Sequence, residues 1–189
     1  MKKHILLLIS LLFMLSACNT VTVADPSPYT IDQAASAAAP WKIGKKVVKG
    51  LFVVFDDSID PASYKHIPAY RVFLGITPSG HYVVQEFYTE NNAKATNPYQ
   101  VFTQEGVTKP FCDFSVPDEP CGPQGIEGEF ISWYPNGQKE SHIFYSNGKL
   151  HGKYLQFYDN GQKAVEFDAE YDEIIGDLHL WSYEGYTVL

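Results

Sequence analysis

Four carboxylates, Glu166, Asp168, Glu170 and Asp172, alternate with Val165, Phe167, Ala169 and Tyr171. Alternate side chains of an extended strand share a face, so this spacing predicts an acidic strip. Such a strip suits a basic partner or a loose Ca²⁺ site, and equally a solvated face charged against edge pairing. A calcium cage also wants carbonyl and loop oxygens at close spacing, so no metal is expected here. A second acidic cluster, Asp56-Asp57-Ser58-Ile59-Asp60-Pro61, lacks the EF-hand spacing and reads as a turn ending a strand. Nucleophile-elbow, Walker, dinucleotide and zinc-protease patterns are all absent. The chain therefore offers no catalytic residue, and neither a cofactor nor a small-molecule substrate is expected.

Cysteine chemistry is the more definite signal. Lys2 and Lys3 precede an apolar run from Ile5 to Leu15 that is broken only by Ser10. The run is shorter than the roughly 20 residues of a membrane span and reads as an export signal. Leu15-Ser16-Ala17-Cys18 closes it and resembles the lipobox of bacterial lipoproteins. That resemblance implies cleavage after residue 17 and a diacylglycerol on the Cys18 thiol, anchoring the chain to a membrane. Each buried methylene contributes about 0.8 kcal/mol, so several acyl chains hold firmly. Asn19, where an aspartate would signal inner-membrane retention, implies the outer membrane in a Gram-negative host. Cys112 and Cys121 remain, with no histidine between them. An even count in an exported chain favours a disulfide, which across so short a loop contributes about 2–3 kcal/mol.

The elements that carry these groups read as mostly β. Residues 19–40 contain proline, alanine and small polar side chains without a hydrophobic pattern, and read as a flexible tether averaging roughly 25 Å end to end. From Trp41 the composition predicts strands over 47–55, 69–76 and 81–88, the last two joined by Thr77-Pro78-Ser79-Gly80. Thirteen tyrosines and twelve phenylalanines suit half-buried sheet surfaces. The formal charge is −8, and loss of Lys2 and Lys3 with the signal makes it −10. That balance argues against nucleic acid and anionic lipid as partners, and is compatible with a basic protein.

The strongest pattern is internal. Gly128, Gly152 and Gly176 recur at one period, each followed after four residues by an aromatic, Trp133, Phe157 or Trp181. Asn136-Gly137 and Asn160-Gly161 follow at a common offset, with Glu184-Gly185 in the third copy, and Ile126, Leu150 and Ile174 precede the glycines. Asn-Gly between alternating runs marks a hairpin, and Asn147-Gly148 marks the turn into the next copy. Stacked hairpins extend one sheet. In this reading Trp133, Phe157 and Trp181 fill the buried face, while Tyr134 and Tyr158 form an accessible aromatic patch for a partner. His142, His151 and His179 fall at different offsets, so no ligand column forms.

Gly128 to Gly137 and Gly152 to Gly161 resemble the variant MORN (membrane occupation and recognition nexus) repeat, Gly-x-x-x-x-aromatic-Tyr-x-Asn-Gly-Gln/Lys; Gly176 to Gly185 lacks the asparagine. Gly80 to Tyr88 reads as a diverged earlier copy. The resemblance implies a curved antiparallel sheet used for protein contacts, scaffolding or, in some members, lipid binding. The expected plan is a signal over 1–17, a lipidated tether over 18–40, a β-rich region over 41–124 and a MORN-like sheet over 125–189. The expected role is a non-enzymatic protein-binding or scaffolding module of the cell envelope. Its alternatives are an immunity protein neutralising a basic toxin or host defence protein, and a passive envelope component.

Overall fold

The computed structural model describes residues 27–56, 63–111 and 124–189. Cys18, Cys112, Cys121, the export signal and Asp57 to Pro61 lie outside the described residues. The architecture is mostly β, as the patterning predicts. Two short helices, α1 (Gln33–Ala38) and α2 (Gln104–Thr108), accompany β1 (Lys46–Asp56), β2 (Ser63–Ile76), β3 (Tyr82–Tyr88), β4 (Tyr99–Val101), β5 (Ile126–Trp133), β6 (Lys139–Ser146), β7 (Lys149–Phe157), β8 (Lys163–Glu170) and β9 (Glu173–Leu180). The strands form one antiparallel sheet in chain order. The expected boundary near residue 125 is a junction inside that sheet, where Gln100 faces Glu127 and Val101 faces Ile126.

β2 begins six residues earlier than its composition predicts, because Pro68 reads as a break. Residues 63–67 pair with β1 alone, and on the β3 side the last bond is from the Thr89 N–H to the Pro68 carbonyl at 2.9 Å. Pro68 therefore ends the β2–β3 ladder, where a missing N–H is tolerated.

The sheet curls so that β1 and the start of β2 lie over the inner face of β5 to β8. Phe52, Tyr88, Tyr99, Ile126 and Phe130 fill the space between and are nearly inaccessible. Phe52 meets Tyr88 edge-on at 6.0 Å and Phe111 at 4.5 Å between ring centroids. At the far end Phe55 reaches Tyr158, with centroids 5.6 Å apart. The opposite face of β2 and β3 carries a second core of Tyr70, Val72, Leu74, Val83 and Phe87, covered by Tyr29 and Ile31.

That cover corrects the tether expected through Pro40. The Asp32 N–H donates to the Ile76 carbonyl at 2.7 Å, and its side chain caps α1 by accepting from the Ala35 N–H at 3.0 Å. The alanine run is helical because an aspartate cap and two preceding apolar anchors hold it on the sheet.

Each repeat contains two kinds of turn. Asn147-Gly148 has both residues at positive φ (52° and 77°), the type I′ hairpin that Asn-Gly favours. Its equivalent one copy later is Tyr171-Asp172, also left-handed (52° and 74°), held by the Asp172 carboxylate accepting from the Leu150 N–H at 2.8 Å. The turns at Asn136-Gly137 and Asn160-Gly161 differ. Only the glycines are left-handed, and the Gly137 N–H donates to Tyr134 O at 2.9 Å while the Tyr134 N–H donates to Gln138 O at 2.8 Å. These are three-residue loops with glycine at the bulge, not the two-residue hairpins that the Asn-Gly pairs predict.

Successive copies are tied by a ladder of side-chain bonds. The Tyr134 hydroxyl donates to Phe157 O, and the Tyr158 hydroxyl to Trp181 O, each at 2.7 Å. Asn136 Nδ2 donates to Asp159 O at 2.8 Å, and Asn160 Nδ2 to Tyr183 O at 2.9 Å. Upstream, the Tyr88 hydroxyl donates to Trp133 O at 2.6 Å, and its own turn is one residue longer, closed by Asn92 N–H to Tyr88 O and Tyr88 N–H to Ala93 O. The bond from Tyr88 to Trp133 O matches those from Tyr134 and Tyr158 to the aromatic residue that follows.

A buried polar cluster anchors the first half of the sheet. Arg71, the single arginine of the chain, is 3% exposed. Its Nε donates to Glu86 Oε1 at 2.6 Å, and its Nη1 donates to the carbonyls of Gly106, Val107 and Lys109 at the end of α2. The Tyr99 hydroxyl and Thr96 Oγ1 also donate to the Glu86 carboxylate, at 2.7 and 3.2 Å.

Candidate functional site

Three surfaces compete for function: the acidic strip, the tyrosine column and the outer edge of the sheet. Glu166, Asp168 and Glu170 lie on β8 as the alternation predicts, but Asp172 sits in the following turn. The strip is compensated within the molecule. Lys153 Nζ lies 2.9 Å from Glu166 Oε1 and 3.6 Å from Asp168 Oδ2; Lys163 Nζ approaches Glu166 Oε2 at 2.5 Å. Hydrogen bonds from Lys163 and then Lys153 hold the Glu166 carboxyl well down, to about 2. Lys149 Nζ is 3.9 Å from Asp172 Oδ2. A basic partner would compete with these lysines at Glu166, Asp168 and Asp172.

The expectation of a Tyr134–Tyr158 patch is corrected. Tyr134 and Tyr158 are 3% and 6% exposed and belong to the main core. Trp133, Phe157 and Trp181, expected inside, are only partly buried. Trp133 carries Lys94 Nζ over its ring at 4.0 Å and donates from Nε1 to Asn97 Oδ1 at 2.9 Å. Both tyrosines follow the end of a strand, inside the tight loop, so strand alternation does not govern their direction. Each turns inward because its ring fills the space under β1 while its hydroxyl reaches a carbonyl one copy on.

The outer edge remains. From Glu173 to His179, β9 has a strand neighbour only on its β8 side among the described residues, while at Leu180 and Trp181 the C-terminal residues pair with its outer side. Ile174 and Ile175 on it are 53% and 46% exposed, and Tyr171 in the preceding turn is 54% exposed. Glu173 and Asp177 lie on the same strand, and both are exposed. A long, exposed, partly apolar edge is a template for another chain.

One inward-facing group escaped the sequence reading. Ser132 pairs with Ser141 and Trp133 with Lys139, which leaves Glu140 as the extra residue of a bulge. The bulge turns Glu140 inward beside Ser141, where it is 8% exposed. Ser132 Oγ donates to its Oε2, and Ser141, the Phe55 backbone and Gln156 complete its partners. Burial pushes its carboxyl up against the lowering effect of these bonds. Ala164 occupies the same bulge one copy later, between pairs Gln156–Val165 and Phe157–Lys163. Alignment of the copies would have exposed a glutamate where its counterpart is alanine.

A carboxyl raised by burial favours the fold while protonated and loses that contribution as pH rises through its folded value. Glu140→Gln should therefore gain stability relative to the parent as pH goes from about 4 to neutrality. Urea unfolding across that range checks this. A constant difference between the two proteins would contradict the burial.

His142, His151 and His179 lie on β6, β7 and β9, and His142 Nε2 bonds Glu129 Oε1 at 2.8 Å. Among the described residues no group of three or more histidine, cysteine, aspartate or glutamate side chains is placed to hold a metal ion. No helix among them is long and apolar enough to cross a membrane. No family model matches the chain, and neither a curated protein nor a solved structure matches it.

Proposed function

We propose that the protein is a membrane-tethered, non-enzymatic protein-binding module of the cell envelope, and that the β9 edge receives an extended segment of its partner. The observation that carries this is the stretch of β9 from Glu173 to His179, which has no strand partner on its outer side among the described residues and exposes Ile174 and Ile175. Strand addition draws affinity from main-chain hydrogen bonds and selectivity from alternate side chains. Glu173 and Asp177 beside the isoleucines favour a segment in which apolar residues alternate with basic ones. The tether rests on Cys18 and the lipobox resemblance, and outer-membrane placement on Asn19. The variant MORN likeness supports the same role, since its sheets serve protein contacts.

Full-length protein purified from membranes tests both parts. Cys18→Ala should shift the chain from the membrane to the soluble fraction. Of the envelope proteins retained by the immobilised chain, a specific partner should be lost with Ile174→Lys plus Ile175→Lys and kept with Glu166→Gln plus Asp168→Asn. Retention that is indifferent to the β9 changes and abolished by the β8 changes would return the acidic strip as the binding surface.

A further inference from the structure

Two cavities lie side by side on the inner face of the sheet, and the repeat relates them. The first, about 320 Å³, has Ser132, Glu140 and Ser141 in its wall. One copy later the same positions are Gln156, Ala164 and Val165, which stand in the wall of the second, about 580 Å³. Tyr64 and Gln156 line both. One slot of the fold is therefore filled twice with opposite chemistry, polar and then apolar. We propose that the two cavities form one binding site for an amphiphilic cation, with its ammonium head at Glu140 and its alkyl chain along Ala164, Val165 and Leu180.

The head is argued from charge. Glu140 is buried, and Ser132, Ser141, Gln156 and the Phe55 backbone bring it hydrogen bonds but no positive charge. A carboxyl withdrawn from water with neutral partners alone is poorly compensated, and a cation supplies the missing term. Phe130, Tyr145 and Tyr154 line the same cavity, and the faces of such rings attract organic ammonium groups. An anionic head would instead meet the carboxyl.

The chain is argued from the second cavity. Leu180 and Val188 join Ala164 and Val165 there, and among the described residues no charged one lines it. Both volumes fall in the range of about 300–1,000 Å³ typical of small-molecule sites. A site of this kind also accounts for Glu140 standing where the neighbouring copy has alanine, and it departs from the expectation that the chain takes no small molecule.

Calorimetric titration of the full chain carrying Cys18→Ala, kept free of detergent, tests this with decylamine, decanol, decanoate and methylamine. Decylamine should bind about tenfold or more tightly than decanol or decanoate, and methylamine should give no measurable heat. Glu140→Gln should weaken decylamine about tenfold and leave decanol unchanged. Equal affinity for decylamine and decanoate on the unaltered chain overturns the proposal without any substitution. So does absence of decylamine binding, or a Glu140→Gln protein that folds and binds decylamine as the parent does.

Discussion

Arg71→Ala is expected to lower the unfolding free energy by about 3–5 kcal/mol, a large fraction of the about 5–15 kcal/mol typical of a domain. Removing the guanidinium leaves the Glu86 carboxylate, itself 2% exposed, buried without a counter-charge. It also strips donors from three carbonyls at the end of α2. The loss measures an orphaned charge more than the worth of the pair, because taking both ions from water offsets much of their attraction. The double variant Arg71→Met, Glu86→Leu should accordingly recover the part due to the orphaned charge, while the α2 carbonyls and the Tyr99 hydroxyl stay without their partners. Urea unfolding of the parent, the single and the double variants separates these contributions. A single variant within about 0.5 kcal/mol of the parent would mean that water reaches the site.

The second large effect lies at Tyr158. Tyr158→Ala should cost about 3–5 kcal/mol, as expected for truncation of a buried ring. Its ring packs on Phe55 at 5.6 Å and on Tyr183 at 5.4 Å, so the loss would also free the end of β1 from the sheet. Tyr158→Phe keeps the ring and deletes one bond to Trp181 O, for about 1–2 kcal/mol. If Tyr158 stood in an accessible patch, both substitutions would stay within about 0.5 kcal/mol. Thermal and urea unfolding of the two variants distinguish the cases.

The repeat period, the hairpins and the antiparallel sheet are legible because they rest on local chemistry. Gly128, Gly152 and Gly176 all adopt positive φ (82°, 107° and 76°), a conformation that side chains resist, so the spacing of glycine reports the backbone directly. What alternation cannot report is which face is inside. The Trp133, Phe157 and Trp181 column, expected inside, stays partly exposed while the tyrosines turn in. Bulges at Glu140 and Ala164 reset the parity of each strand, and no period-two pattern carries that information. The short α1, β4 and α2 depend on contacts distant in the chain, such as Asp32 with Ile76 and Arg71 with Gly106. An acidic strip is visible in the composition of β8, but its compensation by Lys153 from the adjacent strand appears only once the register is known.

The bulge has a consequence for how such a protein changes over generations. The ladder from Tyr134 and Asn136 to the next copy holds the scaffold, while the bulged residue beside it faces an interior slot. Architecture and slot chemistry are thereby assigned to different columns of the repeat. Duplication of a copy transmits the scaffold and adds one more slot, whose lining changes with a single residue, as Glu140 and Ala164 differ.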